Sequence, residues 1–483
     1  MVRPLFLLLL AGCVRLHDPA EETWRDLGVR EVDPWLGAPA STAIDDDDLE
    51  SLERWFDGVD GVRVVAGDDG WGPALELRIR QPVDWFRPDG PSFWQRVYVY
   101  RYGETLGEPV VLATRGYDAD TTPDQYFWNG LRNALRGNLV VVEHRYFGAS
   151  IPDVPSFRHL RASQAAADLH RIRTVVGEVF DGPWVSTGAS KGGMTALYHR
   201  FFFPDDLAGT VADVAPIMTG RADPRFDAYF DKLRGQGCNQ PLDAYLDAMV
   251  PYLDDVAEHF VALGEVHTTD EARARLESSL LGTEWGTWQY RSYYGEDCGV
   301  PEPPDDLDDA IVQMRPGFDS LDQGANSLGH LHTRAAWLYQ ARHELGYPGP
   351  ATSRFEDALQ HDHEDRYDMD TTAIDDRPFD GNLYAHVTHW LETAEDVVAV
   401  YGELDPWTGA AIEASDGVEV FVAPELDHTA SFDDLLPDDL ARFSDVVASW
   451  TGRAIDDGDD IPTLVDDDDG DDLPPAGLPQ FLR

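Results

Sequence analysis

The sequence predicts an α/β fold: a mostly parallel sheet with helices on both faces, interrupted by a mainly helical insertion. Three observations carry this. Continuous apolar runs recur, such as Val110-Val111-Leu112-Ala113 and Leu139-Val140-Val141-Val142, and such runs suit strands covered on both faces. They alternate with stretches of helical periodicity, as in 161–180. The rhythm breaks from about residue 218 to 392 and resumes at Val397-Val398-Ala399-Val400-Tyr401. A length of 483 residues is ample for a large α/β domain with an insertion, and 43% hydrophobic residues with 14 tryptophans exclude global disorder.

The elements follow in order. Arg3 and the apolar run Leu5–Leu10 form a short secretory-type signal over residues 1–12, too short to span a bilayer. It ends in Leu10-Ala11-Gly12-Cys13, which resembles a bacterial lipobox and makes Cys13 the expected site of lipidation. Residues 13–50 read as an acidic tether, with Asp45–Asp48 as a charge run and a helix beginning at Leu49. The first part of the α/β core spans 51–217, with strands at Val62–Val65, Ala74–Ile79, Val97–Tyr100, Pro109–Thr114, Asn138–Val142, Pro183–Thr187 and Ala208–Ala215. A helical cap is expected over 218–392. The second part of the core, 393–452, brings strands at Asp396–Gly402 and Val418–Val422 and a last helix in 433–451. The tail 453–483 is Asp- and Pro-rich and predicts disorder.

The chemistry centres on Gly188-Ala189-Ser190-Lys191-Gly192, a Gly-x-Ser-x-Gly with a strand before it and a helix after it. That context is what a nucleophile elbow requires: the turn is so tight that glycines must flank it, and the serine is lifted over a helix N-terminus. A serine hydroxyl needs a base, and the base an orienting acid. In the α/β-hydrolase layout these follow in the order Ser, acid, His, on the exit loops of late strands. Asp405 and His428 fit both order and place. Glu403 and Asp427 are rival acids; His386 and His389 are rival bases but precede the acid. The oxyanion hole is expected from the backbone N–H of Lys191 and a second donor near Gly116-Tyr117, with Tyr146 nearby.

The net charge of −53 disfavours nucleic acid and anionic lipid as partners, leaving the Cys13 anchor as the expected membrane contact. Behind a signal sequence, Cys238 and Cys298 are in an oxidising compartment and are expected to pair. No cofactor is expected. His361-Asp362-His363-Glu364-Asp365 is the nearest thing to a metal cluster, but its adjacent side chains diverge and a serine triad needs no metal. Three functions remain open on the residues alone: a peptidase, an esterase or lipase on the same fold, and a binding lipoprotein with a dead site.

The run Ser186–Arg200 resembles the elbow of secreted actinobacterial serine peptidases of tripeptidyl aminopeptidase type. Gln81-Pro82-Val83-Asp84, Val142–Phe147, Ala165–Ile172, Val214-Ala215-Pro216 and Tyr401–Trp407 also resemble theirs. The resemblance spans about 50–452, and the family is distantly related to lysosomal Pro-Xaa carboxypeptidases. It implies a serine exopeptidase acting on peptides with a free N-terminus, with Ser190, Asp405 and His428 as triad. The lipobox departs from freely secreted members, so the expected location is the cell envelope, lipid-anchored, or outside the cell. A carboxylate in the cap must then hold the substrate ammonium. Glu284-Trp285-Gly286-Thr287-Trp288-Gln289-Tyr290 is the best stretch, with Glu284 and Trp288 as candidate binding residues beside Tyr146.

Overall fold

A computed structural model describes residues 49–455, except 66–73, 120–129, 155, 236, 292–298, 324–334, 349–357 and 362–377. The signal, Cys13, nearly all of the tether, Cys298, His363 and the tail from 456 therefore lie outside the described residues.

Nine strands form one sheet: β1 (Val62–Val65), β2 (Ala74–Pro82), β3 (Ser92–Tyr100), β4 (Val110–Thr114), β5 (Asn138–Val142), β6 (Trp184–Ala189), β7 (Gly209–Asp213), β10 (Val397–Gly402) and β11 (Val418–Ala423). Their order is β1-β2-β3-β5-β4-β6-β7-β10-β11. β1, β2 and β3 are antiparallel to their neighbours, and every pair from β5 to β11 is parallel. The residue pattern explains the difference. β4 and β5 are buried at every residue. In β2, Leu75, Leu77 and Ile79 are buried while Glu76 and Arg78 face away, as in a sheet wet on one side. Two short strands in the insertion, β8 (Ala222–Asp223) and β9 (Tyr347–Pro348), pair with each other.

Helices cover both faces. On one lie α1 (Leu49–Asp57), α3 (Ala162–Gly177) and α4 (Lys191–Phe202), and Leu169, Ile172 and Val176 of α3 pack on Val110, Leu112, Val140 and Val142. On the other, Val111, Ala113, Leu139 and Val141 meet α2 (Gly130–Leu135) and α11 (Pro437–Thr451). Odd and even residues of one strand thus serve opposite layers. Each fully buried Val or Leu contributes about 1.5–3 kcal/mol.

The insertion contains α5 (Arg225–Leu233), α6 (Asn239–Met249), α7 (Leu253–Ala262), α8 (Thr269–Gln289) and α9 (Leu307–Gln323). It has its own core, in which Leu246, Leu253, Val256 and Phe260 meet Leu276, Leu280 and Met314. Cys238 at the start of α6 is disulfide-bonded. A last helix of the expected cap range, α10 (Asn382–Leu391), instead covers the sheet: Leu383, Val387 and Leu391 join Leu197 and Phe201 of α4. Among the described residues no helix is long and apolar enough to cross a membrane.

Three of the sequence motifs converge in one buried polar network. Arg145 and Asp168, both fully buried, form a two-pronged ion pair at 2.7 and 2.8 Å. Arg145 also donates to the carbonyls of Pro82, Val83 and His159, and Trp85 Nε1 donates to Asp168 at 2.7 Å. Gln81 bridges Gln95 and the Asp168 carbonyl. The network ties the end of β2 and the exit of β5 to α3. It accounts for these motifs by structure rather than by contact with substrate.

Candidate active site

The carboxyl ends of the parallel strands gather the expected residues. β6 ends at Ala189, and Ser190 takes φ 54°, ψ −126° before α4 begins. For a residue with a Cβ this is strained backbone, of order 1–3 kcal/mol. The glycines are needed: a Cβ on Gly188 would come within 2.6 Å of the Gly192 backbone, and one on Gly192 within 2.5 Å of the Thr114 carbonyl. The Ser190 N–H donates to the Asp213 carbonyl at 2.8 Å, which ties the turn to β7. Tyr146, Val214 and Glu425 also have positive φ, so strain recurs beyond β5, β7 and β11 on the same edge.

Asp405 follows β10 and caps the short 3₁₀ turn Pro406–Ala410, its Oδ1 accepting the Trp407 N–H at 3.0 Å. Its Oδ2 lies 2.6 Å from His428 Nδ1. Asp405 is wholly buried, and burial raises its pKa, with His428 and the Trp407 N–H opposing that rise. His428 Nε2 is buried with no hydrogen-bond partner among the described residues. A neutral imidazole whose Nδ1–H is held by a carboxylate presents Nε2 as a proton acceptor. Three of the four rivals are engaged elsewhere. Asp427 accepts from the Thr429 N–H and hydroxyl, and Glu403 from the Glu425 N–H. His389 pairs with Glu392, and His386 lies with it on α10.

The second expected oxyanion segment, Gly116-Tyr117, follows β4. Lys191, the first residue of α4, is buried and its Nζ donates to the Gly116 carbonyl at 2.5 Å. Burial pushes its pKa well below the usual lysine range, with Glu344 opposing.

Aromatic rings wall the site. Trp407 lies 6.1 Å from the His428 ring and 4.9 Å from Trp285, and Tyr347 lies 5.7 Å from Trp407. Trp337 bridges Tyr347 and Tyr117, and Tyr290 stands edge-on to His428 at 6.4 Å. The cap is docked on the loop itself, since the Gln289 carbonyl at the end of α8 accepts the His428 N–H at 3.2 Å.

Three expected binding residues are buried away from this wall. Glu284 is buried and held by Arg234 at 3.0 Å, leaving no open carboxylate for an ammonium. Trp288 is buried among Phe230, Leu233, Cys238 and Leu404. The stretch reaches the site, but by a different face: Trp285 and Gln289, four residues apart on α8, meet it, while Glu284 and Trp288 lie on the adjoining face. Tyr146 is buried against Phe157 and Tyr339, and burial pushes its phenol up to about 12. The residues that sequence reasoning misses are Trp407, Tyr347 and Trp337. Trp407 stands two positions after Asp405, which is the available signal; the other two carry none.

Among the described residues no group of His, Cys, Asp and Glu is arranged to hold a metal ion. His361 instead pairs with Glu277 and Asp270.

The sequence model of the PS-10 peptidase S37 family matches residues 72–466. The chain belongs to this family. It is a serine peptidase with the α/β-hydrolase architecture. This S37 peptidase is 28% identical over 396 residues to the prolyl tri/tetrapeptidyl aminopeptidase of Streptomyces mobaraensis, covering 79% of this chain and 80% of that one. A stretch of 159 residues is 34% identical to the human lysosomal Pro-X carboxypeptidase, 29% of this chain and 32% of that enzyme. Among solved structures it aligns with a proline iminopeptidase-related protein from Thermus thermophilus, with TM-score 0.40 and 13% identity, covering 78% of this chain and 99% of the other.

Proposed function

We propose that this S37 peptidase is a serine exopeptidase that releases short peptides from free N-termini, through an acyl-enzyme on Ser190. The observation that carries the reading is the 2.6 Å contact between His428 Nδ1 and Asp405 Oδ2 on the edge where Ser190 holds its strained turn. In this reading Ser190 Oγ adds to the scissile carbonyl as its proton passes to His428 Nε2. The carbonyl electron pair moves onto oxygen, facing the N–H groups of Lys191 and Tyr117. Collapse breaks the C–N bond, and the imidazolium gives its proton to the departing amine. Water then repeats the sequence on the ester, freeing the peptide and Ser190.

The relative's name adds a residue preference. The half-buried aromatic wall of Trp285, Trp337 and Tyr347 beside Trp407 suits a flat, apolar pyrrolidine ring, so proline is proposed on the acyl side of the cut. The cap roofs the site and restricts it to chain ends. An envelope location through a lipid on Cys13 belongs to the same proposal.

One peptide with proline at its third position, free and N-acetylated, tests this, with fragments read by mass spectrometry. The free peptide is expected to be cut after proline. Acetylation is expected to lower kcat/KM by roughly 10²-fold, about 3 kcal/mol for a buried group left unpaired. Ser190→Ala is expected to abolish both turnover and fluorophosphonate labelling. Equal cleavage of both peptides, or cuts far from the N-terminus, rejects the aminopeptidase reading.

A further inference from the structure

Lysine is rare in this chain: Lys191 and Lys232 are the two present, and arginine supplies the remaining positive charge. Lys191 immediately follows Ser190, is 2% exposed, and sends its amine away from solvent to the Gly116 carbonyl. The amine sits over the rings of Phe147 at 4.7 Å and Tyr117 at 5.3 Å. A compact amine fits there; a planar guanidinium with five donors does not.

The acceptor matters more than the donor. Gly116 O belongs to the same peptide unit as the Tyr117 N–H. No cis peptide occurs among the described residues, and in a planar trans peptide the C=O and N–H point in opposite directions. Holding the carbonyl on one side therefore aims the N–H to the other. The flanking groups have their own restraints. The Arg115 N–H donates to Val142 O at 3.0 Å, the His144 N–H to Tyr117 O at 3.0 Å, and the Ala119 N–H to Glu143 Oε2 at 2.9 Å. The loop also presses on the elbow, since a Cβ on Gly116 would lie 2.6 Å from Lys191 Cβ and 2.7 Å from Gly192 N. Lys191 is the first residue of α4, where a backbone N–H has no acceptor within the helix.

We infer that Lys191 is the positioning residue of the oxyanion hole: its backbone N–H is one donor, and its side chain fixes the Gly116–Tyr117 peptide so that the Tyr117 N–H is the other. The hydrogen bond on the carbonyl also polarises the peptide and strengthens that N–H as a donor. An amine donates to a carbonyl whether or not it carries the extra proton, so burial does not disable the device. The inference rests on Ser190 being the nucleophile.

Lys191→Met keeps the length and apolar bulk of the side chain and removes the donor. The readouts are kcat and KM on the proline-containing peptide, and the inhibition constant of a matching peptide boronic acid, whose tetrahedral adduct mimics the oxyanion. The variant is expected to lose about ten- to a hundredfold in kcat, less than or equal to the loss of a whole oxyanion donor. KM should stay within about threefold, and boronate affinity should fall in step with kcat. Lys191→Arg should not restore either. If Lys191→Met does not fold, Lys191→Gln, shorter and unable to reach as far, gives the same comparison. A kcat within about threefold of the parent overturns the inference. So does a loss of kcat with unchanged boronate affinity, which marks a general structural role. Failure of the nucleophile reading is separate: it shows as unchanged fluorophosphonate labelling of Ser190→Ala.

Discussion

Asp405→Asn removes one charge and replaces one acceptor by a donor, and the geometry says which atom suffers. Both carboxylate oxygens are used as acceptors, Oδ1 by the Trp407 N–H at 3.0 Å and Oδ2 by His428 Nδ1 at 2.6 Å. An amide has one oxygen. If that oxygen stays on Trp407 to keep the 3₁₀ turn capped, the NH₂ faces His428 Nδ1. The imidazole must then carry its proton on Nε2 and cannot accept one from Ser190. If the amide flips, the NH₂ faces the Trp407 N–H, donor against donor, and the turn that positions the acid loosens. The expected loss is about 10³–10⁴ in kcat, or about 4–5.5 kcal/mol, the size found when a triad carboxylate becomes an amide in other serine enzymes. Folding should not suffer similarly. Burial raises the Asp405 pKa, so the charge is a burden that the amide relieves. The assay is kcat on the proline-containing peptide with a melting curve of the same sample. A variant within about tenfold of the parent, or a collapse on Asp427→Asn or Glu403→Gln instead, refutes the assignment of the acid.

Two further predictions concern stability. Asp168→Ala leaves the Arg145 guanidinium buried without its counter-ion and should cost about 3–5 kcal/mol in chemical denaturation; a loss under about 1 kcal/mol would show that the carbonyls of Pro82, Val83 and His159 suffice for it. Asp206 is held at about 2: burial acts to raise it, but hydrogen bonds from His170 and His199 outweigh that. Its folded pKa is depressed, so its contribution is full above the ordinary aspartate range and is lost as pH falls towards about 2. Asp206→Asn should therefore cost about 2 kcal/mol near neutrality, with the gap to the parent closing between about pH 4 and 2. A gap independent of pH over that window would contradict the linkage.

Much of the fold was legible because its signals are local. An apolar run long enough to be buried on both faces marks a strand wherever it lies, and Asn138–Val142 is a strand to the residue. The elbow was legible for the same reason: strand, glycine, serine, glycine and helix follow one another along the chain, and the tight turn is a property of that segment alone. Chain order then made Asp405 and His428 the leading choice, though it left Glu403 and Asp427 open. Tertiary structure sets Asp405 rather than either of these against His428 Nδ1, because a side chain's partner depends on which atoms two loops bring within hydrogen-bond reach, and Asp405 and His428 belong to loops after different strands. It also decided which face of Glu284–Tyr290 meets the site, where a step of one residue turns a side chain by about 100° about the helix axis. Composition cannot register that turn: Glu284 goes to Arg234 while Trp285 goes to Trp407. The same holds for Lys191, whose partner Gly116 lies 75 residues earlier in the chain and becomes its neighbour only when β4 and β6 pair.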